Sequence, residues 1–421
     1  MILRNAGMVE TGNTIVTRDI LIEDGVIQKI TEPGVIAGMA DSIECGGKLL
    51  MPGMIDAHVH LREPGFEQKE TILTGTQAAA AGGFTTVMPM PNLRPVPDSP
   101  ETMEPYLKRL KETAVVRIEP YAAITRGEKG QEVVDMKALL SMGAAAFSDD
   151  GVGVQSDEVM RRAMEQAAAL GTVIVAHTED NMLKNAGYVH QGEYARRMGW
   201  RGIPSACESA QAERDIRLVR ETGCRYHICH VSAKETVALV RKAKSEGLPV
   251  TCEVTPHHLT LIDEDVQDAN GKMNPPLRGA EDRAALIQGL ADGTIDIVAT
   301  DHAPHTAEEK ARGMEKAPFG IVGLETAFPV LYTELVKSGI LSLEDLQRVT
   351  GGRPAEIFGM ERRGKIAVGN PADLVLADIE CEFTVDPERF CSKGRSTPYG
   401  GASVFGKILW TMVGGTIVYN G

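Results

Sequence analysis

Hydrophobic and polar positions along the chain follow two different rhythms. From about residue 50 to 360, short continuous apolar runs alternate with longer amphipathic segments. The runs are LLMPGMIDAHVHL (49–61), FTTVMPMPN (84–92), VRIEPYAAI (116–124) and AAAFSDDG (144–151). They continue with TVIVAHTED (172–180), YHICHVS (226–232), PVTCEVTPHH (249–258) and IDIVATDHAP (295–304). Between them, segments such as SDEVMRRAMEQAAAL (156–170) and SAKETVALVRKAKSEG (232–247) carry apolar residues at helical spacing. Strands alternating with helices pair in parallel, and continuous apolar runs suit strands covered on both faces. This repetition predicts an α/β fold, a (β/α)8 TIM barrel, with a doubly wound open sheet as the alternative.

The two ends of the chain differ from the middle. DILIEDGVIQKI (19–30) joins two apolar runs at Asp24-Gly25, a hairpin signal. GKIAVGNPADLVLAD (364–378) and GKILWTMVGGTIVYNG (406–421) are likewise strand-like and punctuated by turns. The expected organisation is a barrel at 52–362 beside a small β-sandwich assembled from 1–51 and 363–421.

Nearly every apolar run in the middle ends in residues able to do chemistry: His58 and His60, Asn92, Asp150, His177, His230, His257 and Asp301. A barrel gathers its active site from strand ends at one face, which favours it over the open sheet. His58 and His60 lie two apart, so a strand puts both imidazoles on one face. Neutral imidazole is the commonest nitrogen ligand for zinc and related metals. Asp56 shares that face and can brace the ligands from behind. An isolated buried carboxylate needs a partner, and a divalent ion held by histidines supplies one for Asp150. A solvated turn before Gly151 is the competing reading of the acidic pair; alternation sends Asp149 away from Asp150.

Other histidines read differently. His227 and His302 fall on the opposite strand faces from His230 and Asp301, as satisfied interior residues. His190 lies in a polar segment and is expected to reach solvent. Of the adjacent His257 and His258, one at most points inward. Cys229 and Cys252 read as small buried hydrophobes.

The formal net charge of −14 excludes a basic footprint for nucleic acid or an anionic membrane. No apolar run reaches the roughly 18 residues of a membrane span, so no membrane partner is expected. MILRNAGMVETGNT has neither a basic nor a continuous apolar region, so no secretion signal is read. The seven cysteines form no CxxC pair and suggest reduced thiols in a cytoplasmic setting.

GMIDAHVHLREPG (53–65), VMPMPN (87–92), FSDDG (147–151), AHTED (176–180) and ICHVS (228–232) occur in one order with CEVTPHHL (252–259), MNPPLR (273–278), ATDHAPH (299–305) and KAPFG (316–320). Together they resemble the amidohydrolase superfamily and, within it, the type I bacterial dihydroorotases. The resemblance spans nearly the whole barrel, and the two chain ends are similar to the small sandwich of these enzymes. Many dinuclear relatives place a carboxylated lysine at the fourth strand end, whereas this chain offers Asp150, as the type I branch does.

The resemblance implies His58, His60, Asp150 and Asp301 at one metal and His177, His230 and Asp150 at the other. Zinc is the expected cofactor, one or two ions per subunit, with Asp150 bridging if two are bound. It implies substrate binding by Arg62, Asn92, Asn274 and His305, with backbone at Ala317, Pro318, Phe319 and Gly320. Arg62 also supplies the local positive charge an anionic substrate needs on an acidic protein. The implied reaction interconverts N-carbamoyl-L-aspartate and L-dihydroorotate in pyrimidine biosynthesis. Asp301 is the expected catalytic group, accepting a proton from the attacking water and delivering it to the departing ring nitrogen.

Hydrolysis of a neutral cyclic amide is one rival, opposed by Arg62 and Asn92. A non-catalytic scaffold bound to aspartate transcarbamoylase is another, opposed by the filled ligand positions. A homodimer is the expected assembly, with an active transcarbamoylase complex as the alternative. The charged segment HAPHTAEEKARGMEKAPFG (302–320) reads equally as a loop that closes over substrate or as a plain connection.

Overall fold

The structure, a computed structural model, describes residues 1–37 and 41–421. Its central ring contains parallel strands at Met54–Val59, Phe84–Pro89, the interrupted pair Arg117–Ile118 and Tyr121–Ala122, and Ala146–Phe147. Val173–Ala176, Arg225–Ile228, Val250–Val254 and Ile297–Val298 continue it. Each pairs with its neighbour in chain order. The ring closes where Val59 bridges His302 in parallel and the His60 N–H donates to the His302 carbonyl at 2.8 Å. Asp56 adds a side-chain tie, taking the Thr300 N–H at 3.1 Å. An open sheet would leave these strands as unpaired edges, so the closure decides for the barrel.

Strands are shorter than the apolar runs that foretell them. The run at 49–61 divides at Gly53, because Leu49–Pro52 pairs with Leu374–Ala377 in a different sheet. Gly53 permits this crossing: a Cβ there would lie 2.0 Å from Thr85 Oγ1. The barrel interior is filled by Ile55, Ala57, Met88, Tyr121, Ala146, Val175, Cys229 and Ala299. Small residues leave room for the Tyr121 ring, whose hydroxyl donates to the Ala57 carbonyl at 2.9 Å.

The expected helices form outside the ring. Asp157–Leu170 begins at Ser156, whose side chain accepts from the Val159 N–H, and ends at left-handed Gly171. Its buried stripe, Val159, Met160, Ala163, Met164 and Ala167, follows the helical period. Lys234–Ser245 packs on the seventh strand, Val250–Val254, in the same way, burying Val237, Val240 and Ala243.

Both chain ends share one eight-stranded sheet. Leu49–Pro52 is its seam, parallel to Ile2–Glu10 and antiparallel to Leu374–Thr384. The hairpin between Thr14–Glu23 and Val26–Thr31 turns at Asp24 and Gly25 with φ of 49° and 75°, both in the left-handed region a tight hairpin demands. The sheet then rolls back on itself, Val26 bridging Pro371. No helix among the described residues is long and apolar enough to cross a membrane.

One ion pair ties the sheet to the barrel. Arg117, on the third strand, reaches Asp373 through Nε at 2.7 Å and Nη2 at 3.0 Å, and Asp373 also takes the Gly414 N–H at 2.8 Å. Charge-assisted hydrogen bonds of this kind contribute about 1.5–3 kcal/mol, so Asp373→Ala should destabilise the fold by about 2 kcal/mol. Denaturant melts would show it as a lower midpoint; an unchanged midpoint would mean the tie contributes nothing.

Candidate metal centre

At the end of the first strand, and past the last paired residues of the fourth, fifth, sixth and eighth, side chains turn into one mouth. His58 Nε2 lies 3.3 Å from Asp150 Oδ1 and 3.5 Å from Asp301 Oδ1. His60 Nε2 lies 3.1 Å from Asp301 Oδ1 and 3.5 Å from Asp150 Oδ2. Across Asp150, His177 Nδ1 and His230 Nε2 are 3.0 Å apart, each 3.8 Å from Asp150 Oδ1. Two compact donor groups result, His58–His60–Asp301 and Asp150–His177–His230, with atoms in each within 4.8 Å of one another. Asp150 lies between them. His230 and Asp301 adopt φ of 31° and 49°, left-handed values that non-glycine residues reach at a cost. Those turns are what aim the two side chains inward.

The residues fit a divalent cation. The His58 Nδ1–H is taken by Glu253 Oε1 at 2.7 Å, which leaves Nε2 as a lone pair facing two carboxylates. Buried His58 Nε2 and Asp150 Oδ1 have no hydrogen-bond partner among the described residues, and a cation between them would satisfy both. Asn92 Oδ1 holds His60 Nδ1 at 3.0 Å in the same fashion, freeing Nε2. Such outer partners orient metal-binding imidazoles.

Protonation without an ion points the same way. Burial opposes charge on Asp150, yet His58, His60 and His177 hold its carboxyl well below the ordinary range. Burial is likewise outweighed at Asp301 by His58, His60 and His230. His58 is raised against its burial, chiefly by Asp150. Burial, then His177 and His58, pushes His230 down to about 4. Imidazoles here therefore substitute for a cation that the carboxylates require. Cys229 lies within reach of His58 and Asp150, but burial pushes its thiol up, leaving a neutral, poor ligand.

Arg62 stands at the rim with φ 61°, its Nε–H donating to the Pro304 carbonyl at 3.2 Å. Burial lowers its pKa to about 10, so it stays charged. It forms no ion pair among the described residues; Nη2 lies 3.3 Å from His305 Nε2, and Nη1 is left for an anion. His305 sits beside it, and its Nε2–H donates to the Phe319 carbonyl at 2.8 Å. Asn274 approaches from the fifth-strand side, donating to Glu179 Oε2 at 2.6 Å. Among the backbone polar groups of Ala317 to Gly320, the Phe319 N–H alone has no partner among the described residues.

Several sequence expectations change. Asp149 does turn away from Asp150, but into the structure: it takes the N–H groups of Ile124 at 2.8 Å and Thr125 at 3.0 Å. His190 does not reach freely into solvent; it is half-buried, with Arg278 at 3.3 Å, and burial drops its pKa to about 4. His258 is bound between Thr255 and the Pro275 carbonyl, so His257, buried with Nε2 unpartnered among the described residues, is the one beside the centre. His227 and His302 are interior residues held by Glu253 and Glu70. Sequence reasoning missed Glu253 and Glu179. Glu253 alternates with apolar neighbours on the seventh strand, a buried acid whose side chain had to face the interior; that was the available signal.

A family model described as Dihydro-orotase-like matches residues 47–236. The chain is 56% identical to a dihydroorotase of Bacillus caldolyticus over 99% of its length and 98% of the relative's. It is 56% identical to a dihydroorotase of Geobacillus kaustophilus (strain HTA426), again over 99% of this chain and 98% of that one. Among solved structures, the L-hydantoinase (dihydropyrimidinase) of Arthrobacter aurescens matches with a TM-score of 0.89 at 30% identity, covering 100% of this chain and 96% of that one.

The two acidic neighbours give a paired test. Asp150→Asn should cut bound divalent metal at least about tenfold, as loss of a ligand or its support does, with little loss of stability. Asp149→Asn should keep metal and lose about 2–3 kcal/mol, the cost of an unmatched buried hydrogen-bond site. Metal analysis and melts on both proteins check this; equal metal loss in the two would end the distinction.

Proposed function

The chain belongs to the dihydroorotase family, and we propose from that membership that it interconverts N-carbamoyl-L-aspartate and L-dihydroorotate, a cyclic amidohydrolase step of pyrimidine biosynthesis. The observation that carries this reading is a charged, unpaired Arg62 beside two His/Asp clusters that share Asp150. His58, His60 and Asp301 would hold one ion and His177 and His230 a second, with Asp150 common to both; zinc suits this nitrogen and oxygen set. A bound ion of this kind lowers the pKa of water and polarises a carbonyl oxygen.

Arg62 pairs with the substrate carboxylate, its fork set by the Pro304 carbonyl. Asn274, His305 and the Phe319 N–H orient the ring's polar edge, and Asn92 acts through both His60 and the substrate. In ring opening, Asp301 takes a proton from the attacking water as its oxygen bonds to the ring carbonyl carbon. The carbon–nitrogen bond breaks, and Asp301 returns the proton to the departing nitrogen, which becomes the ureido NH2. In closure the same carboxylate removes that proton as nitrogen attacks the side-chain carboxyl carbon and water leaves. A neutral hydantoin or dihydropyrimidine would leave the buried Arg62 charge without its partner, which disfavours that substrate class.

The same reading divides the chain into a metal-dependent barrel at 52–362 and a sandwich from 1–51 and 363–421; the tight crossing at Gly53 supports it. It carries a homodimer in the cytoplasm, with the free thiols of seven cysteines in support of a reducing compartment. An active complex with aspartate transcarbamoylase is its alternative assembly, and sedimentation with and without that enzyme separates the two.

Zinc-loaded protein should consume L-dihydroorotate, followed by absorbance, in a chelator-sensitive way and leave hydantoin and dihydrouracil nearly untouched. Preference for a neutral ring would refute the role of Arg62. Asp301→Asn should retain metal and lose turnover by roughly 10²–10⁴, the usual weight of a general acid–base group. Metal analysis with steady-state rates tests it, and a near-normal rate would remove Asp301 from proton transfer.

A further inference from the structure

Two buried lysines that take no part in the reaction above hold the loop after the eighth strand. Lys272 and Lys310 are 3% and 5% exposed, and neither forms an ion pair among the described residues. Lys272 Nζ donates to the carbonyls of Met314 at 2.6 Å, Glu315 at 3.2 Å and Ala317 at 2.6 Å. It also lies over the Phe319 ring at 4.6 Å and the Tyr188 ring at 5.3 Å. Lys310 Nζ donates to Gly320 at 2.7 Å, Lys272 at 3.2 Å and Pro318 at 3.3 Å, all main-chain carbonyls. The Lys272 carbonyl takes the Gly320 N–H as well, at 3.0 Å.

Burial pulls Lys272 down to about 8 and Lys310 to about 7, yet each Nζ meets three carbonyls, which match the three N–H donors of an ammonium and would oppose the lone pair of a neutral amine. Burying such a group is costly unless its donors are satisfied. The loop's conformation therefore depends on the lysines, and the lysines depend on the loop. Gly320 completes the arrangement: at φ 132°, it passes so close to the barrel that a Cβ would lie 2.5 Å from the Ala303 carbonyl. A loop carbonyl turned toward an anionic ring would repel it. Here the carbonyls of Ala317, Pro318 and Gly320 are drawn off by ammonium groups and that of Phe319 by His305.

We propose that Lys272 and Lys310 are positioning residues for the anionic substrate: they clamp the main chain of 314–320 by its carbonyls, leaving the Phe319 N–H as the donor the loop offers. The proposal rests on the dihydroorotase reading for the substrate and on this geometry for the clamp. It makes 314–320 a fixed wall of the site, not a lid that opens with each turnover.

The test compares unmodified, zinc-loaded protein with Lys310→Met and Lys272→Met, following L-dihydroorotate kinetics, bound metal and amide hydrogen exchange across 313–321. If either variant fails to fold, the Gln variant at that position, which keeps two N–H donors without the charge, replaces it. The expected result is a KM raised about tenfold or more with kcat within about threefold, a loss of substrate binding without loss of chemistry. Metal content should stay the same and loop amides exchange faster. A lysine that merely stabilised the fold would lower yield and melting temperature without that split between KM and kcat. Unchanged KM overturns the proposal, whether or not exchange rises. Unmodified protein inactive on L-dihydroorotate would sink the functional reading and the substrate half of this proposal, while unchanged exchange in the variants would sink the clamp.

Discussion

Buried negative charge at the mouth of the barrel is the constraint around which the rest is arranged. Asp150 and Asp301 face the Nε2 atoms of His58 and His60, with Glu253 behind them and fully buried. Each buried ion costs several kcal/mol unless matched, and neutral imidazoles do not match carboxylates. Without a cation, the site answers by charging His58 and His177, which the raised pKa of both residues records. A divalent ion removes the conflict at once. The cluster is thus poorly suited to stability and well suited to holding metal.

The closed barrel makes that concentration of charge tolerable. Asp56 accepts the N–H groups of His58 and Thr300, so the carboxylate next to the site also fastens the first strand to the eighth. Strained backbone at Arg62, His230 and Asp301 is confined to the turns that follow paired strands. Packing around the ring pays for it. Farther out, Glu179 links Asn274 and Lys184, whose Nζ lies 4.9 Å over the Phe319 ring, and the two lysines of the clamp hold the adjoining loop. Positive charge on a protein of net charge −14 is therefore a local matter: Arg62 and the lysines of the proposed clamp sit inside a field that repels anions overall.

Much of this was legible beforehand. Alternating apolar runs and amphipathic helices predicted the barrel, because burial on both faces of a parallel strand leaves a continuous hydrophobic signature. The hairpin at Asp24-Gly25 was readable from turn chemistry, and the helix at 157–170 from its apolar spacing. Strand lengths were not: Asp301 and His230 belong to apolar runs, yet the backbone leaves the sheet before reaching them. Nor was the division of 49–61 between two sheets, since both pieces are equally apolar.

By itself the sequence determined the chemistry available: which side chains stand at strand ends, and which motifs resemble those of a family of amidohydrolases. Period and residue type are local properties, so they survive in the linear chain. Tertiary structure alone decided which groups face one another. His58 meets Glu253 across 195 positions, and Asp149 and Asp150 part toward different partners. Lys272 and Lys310 read as ordinary charged residues until folding buries them under the carbonyls of a single loop. Burial and hydrogen-bond satisfaction are properties of the closed three-dimensional packing, and no spacing along the chain encodes them.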